Sequence, residues 1–515
     1  MKLSSLIEAL PAEEVKRIGI KAGEDVDVYS VGFDSRQSLP GELFVALKGT
    51  NFDGEDYVDD ALSRGAVAIV SEREALRLGC DVPEVVVKDA KLALGFMSAG
   101  FFGSPTERMR LIGVTGTNGK TTVTYIIESI LRAAKRTTGL LGTIGYSFGG
   151  KTLKAPYTTP LAPQLQGFFK EMVEAGTTDC VMEVSSHALS ERRVDGCRFD
   201  ALIFTNLTEE HLDYHDTMNQ YFRAKERLFR DARLHKSGAK AVVNIDDMWG
   251  EMLTNDSSGG LIKYSLDDNG ADIYPLKSSV MPEGITAIFA TPIGELKVSS
   301  RLTGEYNLYN IMAAIGAAIA VGIEKVAIEE GIARLACVPG RLERVALESK
   351  LFAYVDYAHT PDALKRSIEV LRGFVDARGG RLITVFGCGG DRDKTKRPLM
   401  GEIAASLSNV AIITTDNPRG EEPIDIVREV AAGIKEAKEI DADALLNADT
   451  NGYMMLLDRR DAIERAVAMA DEGDTILLAG KGHEDYQLVK GERLFFDDRA
   501  ELNEAISKRF ADEPS

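Results

Sequence analysis

The stretch Leu111-Ile112-Gly113-Val114-Thr115-Gly116-Thr117-Asn118-Gly119-Lys120-Thr121-Thr122 decides how the rest of the chain is read. Its first five residues form an apolar run of strand type, and the segment VTYIIESILRAA that follows has helical periodicity. Glycines in a loop between a buried strand and a helix let backbone N–H groups approach phosphates, and the helix N-terminus adds favourable positive potential. Gly116, Thr117, Asn118, Gly119, Lys120, Thr121 and Thr122 are therefore expected to cradle a nucleotide, with Lys120 on the terminal phosphates and the Thr121 hydroxyl on magnesium. The spacing departs from GxxxxGK[ST], because Val114 stands at the first glycine position. Glycines alone would also suit a structural turn; the Lys-Thr-Thr run and the strand-to-helix setting favour the nucleotide.

Working outward, strands read at MRLIGVTG, CVMEVSS, ALIFTNL and KAVVNID alternate with helical segments, which implies a mostly parallel sheet. Before them, ELFVAL, AVAIVSE and VPEVVVKD suggest a small mixed α/β domain that ends near the linker-like FFGSPTER. After CVPGRLERV, the strands FAYVDYAH, RLITVFG, NVAIITTD and DTILLAG alternate with helices in a third, Rossmann-like α/β domain. The expected organisation is α/β throughout, with an N-terminal domain over 1–104, a central P-loop ATPase-like domain over 105–338 and a C-terminal domain over 339–515. The Gly- and Asp-rich run from Ser257 to Arg301 reads as peripheral strands on the central domain.

Composition narrows the function classes. At 515 residues there is room for about three packed units of roughly 100 to 200 residues each. The 61 Lys plus Arg against 80 Asp plus Glu give a net charge of −19, which opposes non-specific binding to nucleic acid or anionic membrane. Any anionic substrate must then be held by local donors. Neither a signal-peptide pattern nor a run of about twenty apolar residues is found, so a cytoplasmic protein without membrane insertion is expected. Cys80, Cys180, Cys197, Cys337 and Cys388 are scattered and lack zinc spacing, so reduced thiols are expected.

A phosphate loop fits a motor, a kinase, a GTPase or a ligase, and three further segments bear on the choice. MEVSSHAL places Glu183 at a strand end, FTNLTEEHLDYH supplies His211 after the next strand, and YFRAKERLF carries Lys225 on a helix. A hard cation beside a triphosphate takes oxygen ligands, and one carboxylate with one imidazole leaves positions for phosphate and substrate. From composition alone, Lys225 reads as a solvated helix lysine and His211 as either a ligand or a core histidine.

These strings, with GEYNLYNIMAA, VPGRLE, VDYAHTPDAL, FGCGGDRDKTKRP, DNPRG and GKGHEDYQ in this order, resemble the Mur ligase family over nearly the whole chain. The resemblance implies a reaction of peptidoglycan precursor synthesis in which ATP phosphorylates a peptide carboxylate and an amine attacks the acyl phosphate. It implies magnesium bound by Thr121, Glu183 and His211, and a CO2-derived carbamate on Lys225 that turns a cation into an anionic metal ligand. Asn310, Arg341 and Asp356 resemble the family's nucleotide contacts, although Asn307 or Asn310 would equally suit a helix cap. Phe33, Ser35, Thr50, Asn51 and Phe52 resemble loops that grip uridine diphosphate, and Thr158, Thr159, Ser185, Glu191 and Arg193 match positions that meet the muramoyl peptide. Glu191 stands where some relatives carry glutamine, and Pro160 follows the threonine pair; both leave the local sugar-site geometry open.

Three strands of the third domain end in polar, Gly-rich loops, which are expected to converge at the edge where open α/β sheets bind ligands. The DNPR string resembles that of the diaminopimelate-adding branch of the family, and such an amino acid has a distal carboxylate and a distal ammonium. Arg419, with Arg392, suits the carboxylate, while Glu484 with Asp416 or the Gly480 carbonyl suits the ammonium, and Asn417 and Pro418 complete the loop. The implied substrates are a UDP-muramoyl dipeptide, ATP and meso-diaminopimelate, taken by a monomer. Alternatives are the same reaction with L-lysine, a folylpolyglutamate-type ligase, or a P-loop NTPase switch.

Overall fold

The computed structural model describes residues 1–19, 25–49, 52–73, 81–254, 260–345, 351–441 and 451–510. Thr50, Asn51 and Cys80 lie outside the described residues. The chain divides into two compact units, one of Met1–Ser278, Ala287–Ser299 and Tyr306–Arg334, the other of Ser279–Thr286, Ser300–Glu305 and Leu335–Ser515.

The first unit holds two sheets. Five strands run in the order Val15–Gly19, Glu84–Val87, Ala68–Ser71, Glu42–Val45 and Ser30–Gly32, the first antiparallel to its neighbour and the rest parallel. Their apolar runs are buried because helix Ala90–Phe101 packs on the sheet, its N-terminus capped by the Asp89 carboxylate accepting from the Leu92 amide at 2.9 Å. A Cβ at Gly95 of this helix would lie 2.6 Å from the Asp195 carbonyl oxygen, so a side chain there would push the helix off the turn at Asp195.

Eight strands form the second sheet, in the order Gly260–Tyr264, His235–Asn244, Phe199–Phe204, Arg110–Thr115, Asp179–Glu183, Thr138–Leu141, Tyr146–Phe148 and Lys151–Leu153. The first six are parallel and the last two antiparallel. The strand Arg110–Thr115, which leads into the Gly116–Thr122 loop, thus lies between Asp179–Glu183 and Phe199–Phe204. Glu183 and the residues after Phe204 emerge from strands that flank the loop, at the carboxyl edge where such sheets bind ligands. The segment from Tyr274 to Ser300 supplies three strands of a small separate sheet, in keeping with its β-like composition.

The second unit is built on six strands, Glu343–Val345, Phe352–Asp356, Thr475–Ala479, Leu382–Phe386, Val410–Ile413 and Gly452–Met455. All but the first are parallel, and their buried Val, Ile and Leu side chains form one core with helix Arg459–Met469 and helix Asp498–Phe510. An ion pair crosses this core: Arg459 bonds Asp498 at 2.7 Å, both side chains wholly buried, and also reaches the Ala479 carbonyl at 3.1 Å. It ties the end of strand Thr475–Ala479, and so the loop that follows, to two helices. No described helix is long and apolar enough to cross a membrane.

Candidate active site

The loop after Arg110–Thr115 has the backbone that its glycines demand. Gly116 and Gly119 have φ of 144° and 88°. A Cβ on Gly116 would fall 1.9 Å from the Thr205 hydroxyl oxygen, and one on Gly119 would fall 2.3 Å from Asn310 Oδ1. The next strand end holds the loop in place: Thr117 N–H donates to the Asn206 carbonyl at 2.8 Å, Asn118 N–H to Asn206 Oδ1 at 2.9 Å, and Thr205 Oγ1 to the Asn118 carbonyl at 2.6 Å. Lys120 opens helix Lys120–Ala133, and its ammonium curls back onto the carbonyls of Gly116 and Thr117 at 3.0 and 2.8 Å. Asn310 lies inside helix Tyr306–Ala320, bonded to Asn307 at 2.8 Å, so it faces the phosphate loop and does not cap the helix.

Glu183 is the hinge of the site. Its side chain is buried at its strand end, where Oε1 accepts from Thr121 Oγ1 at 3.0 Å and from the Thr143 amide at 2.8 Å, and Oε2 accepts from Thr143 Oγ1 at 3.1 Å. Thr143 in turn meets Thr158 at 3.1 Å, Thr159 donates to the Glu183 carbonyl at 2.9 Å, and the Ser185 amide donates to Thr159 Oγ1 at 3.1 Å. Arg193 reaches the Thr159 carbonyl at 3.2 Å and lies over the Tyr157 ring at 5.0 Å, leaving its Nε buried without a partner. Of the residues matched to the muramoyl peptide, Thr158, Thr159, Ser185 and Arg193 therefore gather around the carboxylate matched to magnesium, and Glu191 does not. Glu191 bonds Lys91 at 2.7 Å and accepts from the Tyr214 hydroxyl at 2.7 Å; burial pushes its carboxyl up, but these partners outweigh it and hold it below its ordinary value. Thr143 was not singled out in the sequence, although the Gly-Thr step directly after the apolar strand Thr138–Leu141 marks a loop at the same edge.

His211 has φ of 58° and begins the short helix Leu212–His215. Its ring stacks edge-on against His187 at 4.8 Å and Tyr221 at 6.0 Å, and His215 stacks on Tyr221 at 5.1 Å. Burial, helped by the ammonium groups of Lys120 and Lys225 and opposed by Glu210, pulls His211 below the usual histidine range. His187, pulled down to about 4 by burial and then by His211 and His215, is neutral at pH 7. The sequence reading missed His187 and His215; the i, i+4 spacing of His211 and His215 was the available sign. Among the described residues, no group of three or more His, Cys, Asp and Glu side chains is arranged to hold a metal ion.

Lys225 is not a solvated lysine. Helix Met218–Arg230 turns Tyr221, Phe222, Lys225 and Leu228 inward, and the Lys225 ammonium donates to the Gly116 carbonyl at 2.7 Å while lying 4.6 Å over the Tyr221 ring. Complete burial, and then the Lys120 charge, push it well below the ordinary lysine value.

In the five-stranded sheet, Phe33 is packed at the edge of the core and Asp34 caps the turn Ser35–Gln37. Ser35 is buried and bonds Asp60, whereas Phe52 is 70% exposed beside Tyr57.

In the second unit, Asp356 is buried, with its oxygens accepting from the amides of Leu342 at 2.7 Å and Ala358 at 2.9 Å and from Ser367 Oγ at 3.0 Å. Burial raises its carboxyl above the ordinary value against the opposing pull of Arg341, whose guanidinium stacks on Tyr357 at 5.1 Å. The three Gly-rich loops do converge. Arg419, partly buried and at φ 53°, donates to the Gly390 carbonyl at 2.7 Å, and Asn417 Nδ2 donates to Glu484 at 2.9 Å. Burial, and then the Asp416 carboxylate, raise the Glu484 carboxyl above its ordinary value. Pro418 is buried, Gly480 has φ of 115° with its Cα face toward Asp416, and Arg392 is exposed, bonding only the Asp391 carbonyl at 3.2 Å among the described residues. The residue missed here is Lys481, wholly buried among these loops; a lone lysine between two glycines after the apolar run Ile476–Ala479 was its signal.

Comparison with known proteins bears on what these loops serve. Three family models match the chain: the Mur ligase family catalytic domain at 27–102, the Mur ligase middle domain at 114–318 and the Mur ligase glutamate ligase domain at 340–482. A UDP-N-acetylmuramoyl-L-alanyl-D-glutamate–2,6-diaminopimelate ligase of Geobacter metallireducens is 45% identical over 487 residues, covering 93% of this chain and 94% of that protein. Its namesake in Gloeobacter violaceus is 44% identical over 486 residues, covering 94% and 95%. A solved structure of a ligase of the same name aligns with a TM-score of 0.67 at 34% identity, over 94% of this chain and 95% of that one.

Proposed function

From the premise that this chain belongs to the Mur ligase family, we propose that it is an ATP-dependent ligase joining meso-2,6-diaminopimelate to UDP-N-acetylmuramoyl-L-alanyl-D-glutamate. The observation that carries the choice of amino acid is the loop cluster in which the Arg419 guanidinium bonds the Gly390 carbonyl and its charge acts on Glu484, while Lys481 pairs with Glu484 and Asp416. A distal carboxylate needs the guanidinium and a distal ammonium the carboxylates; lysine offers only the ammonium and would leave Arg419 without its anion. Arg392 serves as a second, exposed donor to that anion. The setting we infer is the cytoplasm, and the enzyme acts as a monomer, with domains meeting near residues 104 and 338.

A peptide carboxylate is a poor electrophile, so the first step is transfer of the γ-phosphoryl of ATP to it, giving an acyl phosphate and ADP. The amine of the incoming acid then attacks the acyl carbon, phosphate leaves, and the amine nitrogen loses its proton as the amide forms. Gly116 to Thr122 hold the triphosphate, Lys120 exchanges its bonds to loop carbonyls for bonds to phosphate oxygens, and Asn310, Arg341 and Asp356 are assigned to the nucleotide. The Thr121 hydroxyl and Glu183 carboxylate, 3.0 Å apart, are hard oxygen donors of the kind magnesium takes, and His211 and Lys225 complete the proposed set. When bound, magnesium supplies neutralisation of the charge on the transferred phosphoryl group. Lys225 fits a carbamate because burial disfavours its ammonium form, leaving the neutral amine that adds to CO2 with loss of a proton. Phe33, Ser35, Thr50, Asn51 and Phe52 are assigned to the uridine diphosphate, and Thr158, Thr159, Ser185, Glu191 and Arg193 to the muramoyl peptide.

The test is phosphate release by the purified protein with ATP, magnesium, the UDP-muramoyl dipeptide and either diaminopimelate or L-lysine. The reading requires release that depends on diaminopimelate; equal turnover of both acids rejects it.

A further inference from the structure

Two carboxylates and one ammonium share the buried crossing of the loops after Val410–Ile413 and Thr475–Ala479, and the ammonium has no part in the mechanism above. Lys481 has no exposed side-chain surface. Its Nζ donates to Asp416 Oδ1 at 3.3 Å and to Asn417 Oδ1 at 3.4 Å, and pairs with Glu484 Oε2 at 3.7 Å. Asn417 is itself fixed, accepting from the Leu488 amide at 3.0 Å and donating to Glu484 Oε2 at 2.9 Å. That uses one oxygen of each carboxylate. Asp416 Oδ2 and Glu484 Oε1 accept no hydrogen bond among the described residues, and neither is sealed from solvent.

Counting charges, the Lys481 ammonium balances one of the two carboxylates and the Arg419 guanidinium acts on the other, so once Arg419 takes the ligand's distal carboxylate the crossing takes up one further cation. Without Lys481 the same space would hold two facing carboxylates, and the cheapest relief is for one to bind a proton and become a donor. Burial first and then Asp416 push the Glu484 carboxyl up, while Lys481, Asn417 and Arg419 pull it back.

We propose that Lys481 is the positioning residue of the distal-ammonium site: it ties down one oxygen each of Asp416, Asn417 and Glu484, and presents Asp416 Oδ2 and Glu484 Oε1 to a single ammonium. This rests on assigning the cluster to a diamino acid. It makes amino-acid recognition depend on a lysine that does not touch the substrate.

The test uses the full-length enzyme and steady-state kinetics with each substrate varied in turn. Lys481→Met is expected to raise KM for diaminopimelate about 30-fold or more, the low end of the range for a broken buried charge pair at a binding site, with KM for ATP and for the UDP-dipeptide within about twofold of the parent. The double variant Asp416→Asn/Lys481→Met restores the parent's charge and is expected to recover at least about tenfold of that loss, whereas a mere packing role predicts additive damage. The double variant also serves if Lys481→Met alone fails to fold. A rise in all three KM values together, a fall in kcat alone, or a double variant no better than the single overturns the proposal. Should the parent use L-lysine, the diaminopimelate assignment fails while the same comparisons, run with lysine, still decide the role of Lys481. A parent that prefers an acid without a distal ammonium overturns both.

Discussion

Arg419→Ala tests the contact proposed to select the amino acid. The backbone of Arg419 is held independently of its side chain: its N–H donates to the Leu488 carbonyl at 2.9 Å and its carbonyl accepts from the Lys490 amide at 2.7 Å. Alanine at φ 53° carries the same backbone strain as arginine, so the substitution adds none. The carbonyl of the buried Gly390 loses its 2.7 Å donor, an expected stability cost of about 1–3 kcal/mol that thermal unfolding reads separately from KM. The loss in KM falls on the ligand. A hydrogen bond to a charged group contributes about 1.5–3 kcal/mol, and about 1.4 kcal/mol is a factor of ten, so KM for diaminopimelate should rise roughly 10- to 150-fold. L-Lysine has no distal carboxylate, so its KM stays near the parent value and the preference between the two acids shrinks by the same factor. Amine-dependent phosphate release measures both constants, and thermal unfolding checks that the variant is folded. A diaminopimelate KM within about threefold of the parent, or an equal rise in the ATP KM, refutes the assignment.

Other perturbations test the remaining parts. Lys225→Met removes a buried cation and any carbamate; turnover should be lost while the unfolding temperature holds or rises, because an apolar side chain of similar length suits that space better than an ammonium. A marked fall in stability would show that the lysine supports the fold. His483 is drawn down to about 4 by burial and then by Arg341, with Nδ1 buried and unpartnered. Between pH 6.5 and 4 the unfolded chain takes up a proton that the folded one refuses, so stability drops as pH falls through that window. The urea midpoint of the parent should fall more between pH 7 and 4.5 than that of His483→Gln; parallel curves contradict the argument. Asp498→Asn leaves the wholly buried Arg459 without its counter-charge and should cost about 3–5 kcal/mol. Glu501→Gln breaks the pair with the exposed Arg460 and should cost under about 1 kcal/mol, so similar unfolding midpoints for the two variants would refute the contrast.

What sequence alone determined here is local. The strand–glycine loop–helix unit was readable because strand, glycines, lysine and helix are neighbours in the chain, and the alternation of buried strands with helices reports a parallel sheet wherever it occurs. The loop carrying Arg419 was readable for the same reason, since Asp416 to Arg419 begin three residues after the strand Val410–Ile413 ends. Tertiary structure decided the chemical state of individual groups. Lys225 looks solvated by composition, yet it sits on the helix face that packs beneath Gly116, where low polarity disfavours its charge. Lys481 and Thr143 passed unnoticed because their partners come from strands far apart in sequence, joined only when the sheet order sets their loops side by side. Residue type and spacing name the groups that can do chemistry; burial and long-range neighbours, which exist only once the sheets have formed, set their charge and aim.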